Sequence, residues 1–116
     1  MHETSIAEGI LDAVAKTKLA DNEEVTEVRV AVGELAGVDI DALLFAWESV
    51  KRNSLASNSK LVIERPPGKA WCMTCAKTVD LHRHGDPCPE CGGFQLFANQ
   101  GHELRVLDLT VQSKKV

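Results

Sequence analysis

The chain has 116 residues, of which 44% are hydrophobic and 26% charged, enough for one compact domain or a small domain with an attached module. Seventeen acidic residues against thirteen Lys and Arg residues give a formal net charge of −4, which disfavours a protein that binds phosphate backbones or anionic membrane surfaces. The longest apolar run, 42–47, is far shorter than the roughly 20 residues of a membrane span. The first residues lack the positive charge of a secretory signal, so we expect a cytoplasmic protein.

Two helices are predicted in the first half of the chain. Apolar residues at helical spacing predict the first over 4–19, with Ser5 and Glu8 at the spacing of a capping box. Gly9 inside this helix indicates a closely packed position, because glycine otherwise costs about 1 kcal/mol relative to alanine there. Asp39 is expected to cap a second helix that runs to about residue 52.

Three strands are predicted from alternating or continuous apolar residues. The first covers 25–32 and is followed by a turn at 33–37, the second covers 60–65, and the third covers 104–111. The third loses its alternation at Val106-Leu107, where we expect a bulge or burial on both faces.

Four cysteines form the strongest local pattern: two CxxC pairs separated by twelve residues. Each pair can turn two sulfurs toward one ion, and two pairs complete a tetrahedral shell with Zn–S distances near ~2.3 Å. We predict a structural zinc site, because a filled four-thiolate shell leaves no open position for catalysis. Iron accepts the same ligands, whereas disulfide pairing is disfavoured in a cytoplasmic protein. The predicted ligands are Cys72, Cys75, Cys88 and Cys91.

The segment between the cysteine pairs carries two histidines, His82 and His84, that could serve as spare ligands, although four thiolates already satisfy a zinc ion. The formal charges of the cysteine segment cancel, and no basic stripe alternates with aromatic residues, so nucleic-acid binding is disfavoured. A zinc ribbon that binds nucleic acid or acts as a scaffold is kept as the alternative function.

The predicted order of elements is helix, strand, helix, strand, zinc ribbon, strand. Because the cysteine segment separates the last strand from its expected partners, the ribbon is interpreted as an insertion. We predict an α+β fold, namely a three-stranded sheet with two helices on one face, plus an inserted four-cysteine zinc-ribbon module. The boundaries give one domain of residues 1–67 and 101–116 and a zinc-ribbon domain of residues 68–100.

Motifs for nucleotide binding or catalysis are missing from the sequence. It contains no P-loop, no G-x-G-x-x-G after a strand and no nucleophile elbow. We therefore predict that the protein is not an enzyme. A hydrolase with an open metal site is the enzymatic alternative.

The start of the chain offers a second, different metal site. The α-amino group of Met1 has an ordinary pKa of about 7.7–8.0, so a metal can displace its proton near neutral pH. With the amide nitrogens of His2 and Glu3 and the His2 imidazole, it supplies four nitrogens in a plane, which suits Ni(II) or Cu(II) better than zinc. The alternative is an exposed surface histidine. Asp39 or Asp41 could add a carboxylate, or could merely complement the dipole of the second helix.

Four features together resemble the HypA/HybF family of hydrogenase nickel-incorporation proteins. They are the M-H-E start, the V-G-E-L turn after the first strand, the stretch ALLFAWE at 42–48 and the late CxxC-x12-CPxC pattern. The resemblance covers essentially the whole chain, in order. Asp39-Ile40-Asp41 lacks the proline common at the start of the second helix, and Trp47 replaces a usual phenylalanine. Neither departure touches the ligands that the family implies, so neither puts the resemblance in doubt.

The resemblance implies a nickel metallochaperone, with Ni(II) transported at Met1, His2 and Glu3 and Zn(II) held structurally by the four cysteines. It implies delivery of nickel to the [NiFe]-hydrogenase large subunit together with a hydrogenase maturation GTPase, and in some members service to urease maturation factors. The missing P-loop fits a carrier that works with a separate GTPase. No nucleic-acid or membrane partner is expected, and the sequence leaves open a monomer or a homodimer.

Overall fold

The structure, a computed structural model, describes residues 2–114. Its contacts divide the chain into two compact units: the first holds the residues up to Val30, Val38–Ile63 and the residues from Arg105 onward, and the second holds Ala31–Gly37 and Glu64–Leu104. Within the described range, no helix combines the length and apolarity that crossing a membrane requires. The elements are α1 (Glu3–Ala15), β1 (Glu23–Val32), α2 (Ile40–Val50), β2 (Lys60–Glu64), β3 (Lys69–Cys72), β4 (Lys77–Asp80), β5 (Leu96–Gln100) and β6 (Leu104–Ser113).

The first unit contains both helices, which pack against each other, and a sheet with the strand order β2-β1-β6. Central strand β1 buries Val25, Val28 and Val30. In β6, Val106 and Leu107 are both half-buried, as the slipped alternation predicted. The predicted α+β class is confirmed, and the three predicted strands are present with ends that differ by at most two residues.

Helix α1 begins and ends earlier than predicted. Its N-cap is His2, with extended backbone angles and no capping bond from the side chain, so the capping box expected at Ser5 is not the start of this helix. Ala7, Ile10 and Val14 are buried one turn apart. The residues one turn beyond Val14 are polar, so continuing the helix past Ala15 would bury nothing further.

The expected close packing at Gly9 is wrong. Gly9 is exposed, and a Cβ added to it would meet no other atom within 4 Å. It lies on the solvent side of α1, so neither packing nor an unusual backbone conformation calls for glycine at this position.

Helix α2 is capped as predicted. Asp39 Oδ1 accepts a hydrogen bond from the Ala42 N–H at 3.1 Å, which satisfies one of the donors left free at the start of a helix. The helix buries Leu43, Ala46 and Trp47.

The second unit is built on an antiparallel sheet with the strand order β4-β3-β5. These three short strands were not predicted individually, because the cysteine segment lacks alternating apolar residues. A segment this small gains little stability from apolar burial alone. Two of its clusters of buried residues are Leu35, Ala70 and Leu81, and Cys72, Val79 and Cys88.

The turn at 33–37 holds the connection between β5 and β6 inside the second unit. The N–H groups of Gly33 and Leu35 donate to the carbonyl oxygens of Glu103 and Gly101, each at 2.7 Å. A Cβ on Gly33 would lie 2.0 Å from the Gly101 oxygen, so no larger residue fits between the two backbones. The V-G-E-L motif is therefore a structural joint of the second unit as well as a turn.

Candidate metal centre

The first cysteine pair lies at the end of β3. Cys72 is its last residue, and the chain then reverses in a turn closed by a hydrogen bond from the Ala76 N–H to the Cys72 carbonyl oxygen at 2.8 Å. Within the turn the Cys75 N–H points at Cys72 Sγ at 3.4 Å. Ala76 has a left-handed backbone with φ 53°, a conformation that costs a non-glycine residue about 1–2 kcal/mol.

The second cysteine pair repeats this geometry in a loop. The Gly92 N–H donates to the Cys88 carbonyl oxygen at 2.9 Å, and the Glu90 N–H donates to Cys88 Sγ at 3.4 Å. Gly92 occupies the position of Ala76 and has φ 73°, which glycine adopts without strain. Both turns therefore aim backbone N–H groups at a sulfur, an arrangement that stabilises thiolates.

The two turns bring the four cysteine sulfurs into one cluster, all within 4.8 Å of one another. Cys72 Sγ lies 3.7 Å from Cys91 Sγ, and Cys75 Sγ lies 3.9 Å from Cys88 Sγ, so no disulfide links them. Four sulfurs held at ~2.3 Å around one ion in a tetrahedron are about 3.8 Å apart. The cluster thus fits a tetrahedral thiolate-bound ion and is consistent with a zinc site.

The electrostatics of the cluster favour a bound cation. Hydrogen bonds from the N–H groups of Cys91 and Glu90 lower the pKa of the Cys88 thiol to about 7. The Cys91 thiol and burial raise the pKa of Cys75 to about 12. The four thiols therefore influence one another's ionisation. A divalent cation between them would stabilise all four groups as thiolates.

An ion pair joins the two cysteine turns. Lys77 Nζ lies 2.6 Å from Glu90 Oε1, and this carboxylate raises the pKa of Lys77, with smaller contributions from Cys75 and Cys88. The lysine therefore stays charged beside the sulfurs. It offsets part of the net negative charge that an ion with four thiolates carries.

The other basic residues of this segment also face acids. Lys69 pairs with Asp80 across β3 and β4, and Arg83 Nε lies 3.9 Å from Asp86 Oδ1. Cations that are already paired are poorly available to phosphate groups. The structure therefore adds nothing in favour of a nucleic-acid interface.

The two histidines between the cysteine pairs lie outside the sulfur cluster. His82 Nδ1 lies 2.9 Å from Glu34 Oε2, and His84 Nε2 lies 3.1 Å from His102 Nε2. Glu34 Oε1 also accepts the Gly68 N–H at 2.9 Å, and this bond, with His82, lowers the pKa of Glu34. Among residues 2–114, the four cysteines are the only group of three or more side chains placed to share an ion.

The predicted nickel residues lie at the start of the first unit. Met1 is outside the described residues, His2 is exposed, and Glu3 is the first residue of α1. The first helical hydrogen bond runs from the Ile6 N–H to the His2 carbonyl oxygen at 3.2 Å. Glu3 Oε2 accepts the Asp39 N–H at 3.1 Å, which places the Asp39 cap beside Glu3.

Sequence reasoning missed Glu34 and His102. The first lies in a motif interpreted only as a turn, and the second is separated from its partner His84 by 18 residues, so no local pattern relates them. A weak signal for the Lys77–Glu90 pair was available, because Lys77 lies two residues after the first cysteine pair, Glu90 lies inside the second, and their charges are opposite.

The sequence matches a known family of metal-handling proteins over almost its whole length. The family model described as "Hydrogenase/urease nickel incorporation, metallochaperone, hypA" matches residues 1–111. A protein named hydrogenase maturation factor HypA from Albidiferax ferrireducens is 42% identical over 113 residues, covering 97% of this chain and 100% of its own length. A protein of the same name from Rhodobacter capsulatus is 46% identical over 112 residues, covering 96% and 99%.

Solved structures agree at the level of the fold. The solution structure of the Ni metallochaperone HypA from Helicobacter pylori superposes with a TM-score of 0.61 at 24% identity, covering 98% of this chain and all of that one. A second solution structure, of a HypA protein, gives a TM-score of 0.63 at 24% identity. The family match over nearly the whole length, together with the four-cysteine centre, leads to one conclusion: the chain belongs to the HypA family of hydrogenase and urease nickel-incorporation metallochaperones.

Proposed function

We propose that this chain binds Ni(II) at Met1, His2 and Glu3 and delivers it to a [NiFe]-hydrogenase large subunit, together with a hydrogenase maturation GTPase. The family description names nickel incorporation into hydrogenase or urease, and the relatives are named hydrogenase maturation factors. Hydrogenase is therefore the proposed recipient, and urease maturation factors are secondary partners. The proposed place of transfer is the cytoplasm, and the carrier acts as a monomer or a homodimer.

The observation that carries this proposal is the position of His2 as the N-cap of α1. The backbone N–H groups of His2 and Glu3 precede the first helical hydrogen bond, which uses the Ile6 N–H. These two amide nitrogens belong to the donors that a helix leaves without partners in its own ladder. A nickel ion can therefore deprotonate and bind them without breaking a bond of α1.

The contact between Glu3 and Asp39 supports a fixed geometry for this site. The Glu3 carboxylate accepts the Asp39 N–H, so the side chain is engaged and the amide nitrogen is the atom that Glu3 offers to nickel. The Asp39 carboxylate is occupied with the Ala42 N–H. Both acids thus hold the start of α1 beside α2, and the proposed ligands are the four nitrogens of the first residues.

We assign a separate, structural role to Zn(II) at Cys72, Cys75, Cys88 and Cys91. Four thiolates fill a tetrahedral shell, so this ion has no position left to receive a substrate or exchange cargo. The two proposed metal sites lie in different predicted domains: nickel binds to the domain of residues 1–67 and 101–116, and zinc binds to the domain of residues 68–100. No step of this function requires catalysis by the chain itself.

Nickel titration of untagged protein tests the nickel site. One residue added ahead of Met1 turns the terminal amine into an amide, and His2→Ala removes the imidazole. Each change is expected to abolish tight nickel binding and the absorption of planar nickel while leaving the zinc content unchanged. The matched control is His82→Ala, which removes an exposed histidine elsewhere and should leave this binding intact. Unchanged nickel affinity in both altered proteins would contradict the proposal.

A further inference from the structure

We propose that His84 and His102 form a second, exchangeable binding site for a divalent late-transition-metal ion in the second unit, separate from the sulfur cluster and from the N-terminal residues. Their Nε2 atoms lie 3.1 Å apart, and both side chains are exposed. Neither the structural ion at the cysteines nor the proposed nickel site uses these residues. Imidazole nitrogen is a preferred ligand of nickel, copper and zinc.

The distance between the two nitrogens matches a shared ion. Two Nε2 atoms that each lie about 2.1 Å from one metal are about 3.0 Å apart at a right angle and about 3.4 Å apart at a tetrahedral angle. The observed 3.1 Å corresponds to neighbouring positions of one coordination sphere. The ring centroids are farther apart, at 5.1 Å with 30° between the planes, so the two rings converge on their Nε2 atoms.

The proton balance of the pair is simple. Without a metal, one Nε2 carries the hydrogen that the other accepts, so the two rings are in different tautomers. Binding an ion requires both Nε2 lone pairs, and the donor ring supplies its own by moving its proton to Nδ1 through solvent. Both rings remain neutral and no oxidant or reductant is involved.

The backbone around His102 is held in place before any ion binds. Its two neighbours, Gly101 and Glu103, accept hydrogen bonds at 2.7 Å from the N–H groups of Leu35 and Gly33. The Gly101 N–H also donates to Glu103 Oε1 at 2.9 Å. His102 therefore lies in a short connection that is bonded on both sides, which lowers the entropy lost on binding.

The loop that carries His84 is fixed by the same turn. Glu34, between Gly33 and Leu35, contacts His82 two residues before His84. The loop closes with the Asp86 N–H donating to the Arg83 carbonyl oxygen at 3.2 Å. One turn thus positions both halves of the pair, although the two histidines come from distant parts of the sequence.

A site with only two protein ligands can exchange its ion, which the filled shell of the sulfur cluster cannot do. The remaining coordination positions are filled by water, so donors from another molecule can replace the water and take the ion. A pair of imidazoles binds moderately, and losing one is expected to weaken binding more than about tenfold, because the second contact is intramolecular. The site is therefore suited to transient occupancy.

Nickel binding by zinc-loaded, untagged protein in a His2→Ala background tests this inference, because that change removes the N-terminal chelate. Equilibrium dialysis against Ni(II) should leave one nickel per chain, and His84→Ala or His102→Ala added to this background should each weaken it more than about tenfold. His82→Asn is the matched control, since it removes a neighbouring exposed imidazole while its side-chain amide can still donate to Glu34, so the loop that carries His84 keeps this contact. Zinc content and backbone amide spectra verify that each protein is folded.

A second measurement needs no substitution at the pair. In the His2→Ala protein, paramagnetic Ni(II) should broaden the ring nitrogen signals of His84 and His102 before those of His82. Three results would each overturn the inference: no residual nickel after His2→Ala, equal losses of nickel affinity in the His82→Asn and His84→Ala proteins, or broadening centred on other residues. The proposed function fails separately, if His2→Ala leaves the tight nickel site intact.

Discussion

The two units of this protein are stabilised in different ways. The first buries several larger apolar side chains completely or almost completely, including Val14, Val25, Val28, Leu43 and Trp47. The second contains two small clusters of buried residues, and one of them consists mainly of cysteines that belong to the candidate metal centre. Large apolar side chains stabilise the first unit, whereas we expect the second to depend also on an ion at its four cysteines and on hydrogen bonds of its backbone.

Losing the zinc ion proposed at the four cysteines should have the largest effect, and only on the second unit. Cys88→Ser removes the cysteine whose sulfur accepts the Glu90 N–H, so the tetrahedral shell cannot close. Structural zinc contributes an apparent free energy on the order of 10–16 kcal/mol to such small segments. We expect zinc binding to be lost and amide signals of β3, β4 and β5 to collapse, while those of α1 and α2 persist. Simultaneous collapse of both sets would show that the units are not independent.

Truncating a core side chain of the first unit should destabilise that unit and leave the zinc content of the second unit unchanged. Trp47 is fully buried, and Trp47→Ala is expected to lower the free energy of unfolding of this unit by about 3–5 kcal/mol, with zinc content unchanged. Phe45 on the same helix is 80% exposed, so Phe45→Ala is the matched control, with a change within about 0.5 kcal/mol. Urea denaturation followed by helix circular dichroism measures both. Comparable losses from the two substitutions would contradict the described packing of α2.

Adding a methyl group at the exposed Gly9 of α1 should have a small, stabilising effect. A Cβ at Gly9 meets nothing within 4 Å, so Gly9→Ala is expected to stabilise the first unit by up to about 1 kcal/mol. Gly33→Ala is the contrasting change, because its Cβ would overlap the Gly101 carbonyl and destabilise the second unit. Thermal unfolding of both variants compares them directly. A destabilised Gly9→Ala protein would contradict the open, solvent-facing position of Gly9.

The smallest effect concerns the charge on Glu34. The Gly68 N–H and His82 lower the pKa of this carboxyl below the ordinary value of about 4.3. A lowered pKa in the folded state means that the ionised carboxylate stabilises the fold fully above the unfolded pKa, and that this contribution disappears as the pH falls through the folded pKa. Hydrogen exchange of the Gly68 N–H should therefore be faster in Glu34→Gln than in the native chain at pH 6.

A direct titration sharpens this result. The ¹³C signal of the Glu34 carboxyl should titrate below about 4.3, and His82→Gln should move its midpoint upward, because one of the groups that stabilise the carboxylate is gone. A midpoint at or above the ordinary value in the native chain would contradict the contacts of the 33–37 turn.

Much of the molecule could be predicted because its signals are local. Alternating Val residues predicted β1, Asp39 predicted the start of α2, and the spacing of the four cysteines predicted the sulfur cluster. Each of these follows from neighbouring residues that must share a face, a cap or an ion.

The features that sequence reasoning missed depend on contacts between distant residues. Gly33 must be small because Gly101 approaches it, and His84 finds His102 only after the second unit has folded. The first turn of α1 was misjudged for another reason: Ser5 and Glu8 satisfy a general capping rule, but the helix already begins at Glu3. A short window of sequence shows neither which distant residues approach each other nor which of several possible positions starts a helix.

Nickel binding to a protein that begins at Met1, compared with the same protein carrying one additional N-terminal residue, tests the central claim most directly. The proposal predicts that the added residue eliminates the tight, planar nickel site while zinc content and the spectra of both units stay the same. Equal affinity and equal absorption spectra for the two proteins would show that the terminal amine is not a ligand and would contradict the assignment of nickel to Met1, His2 and Glu3.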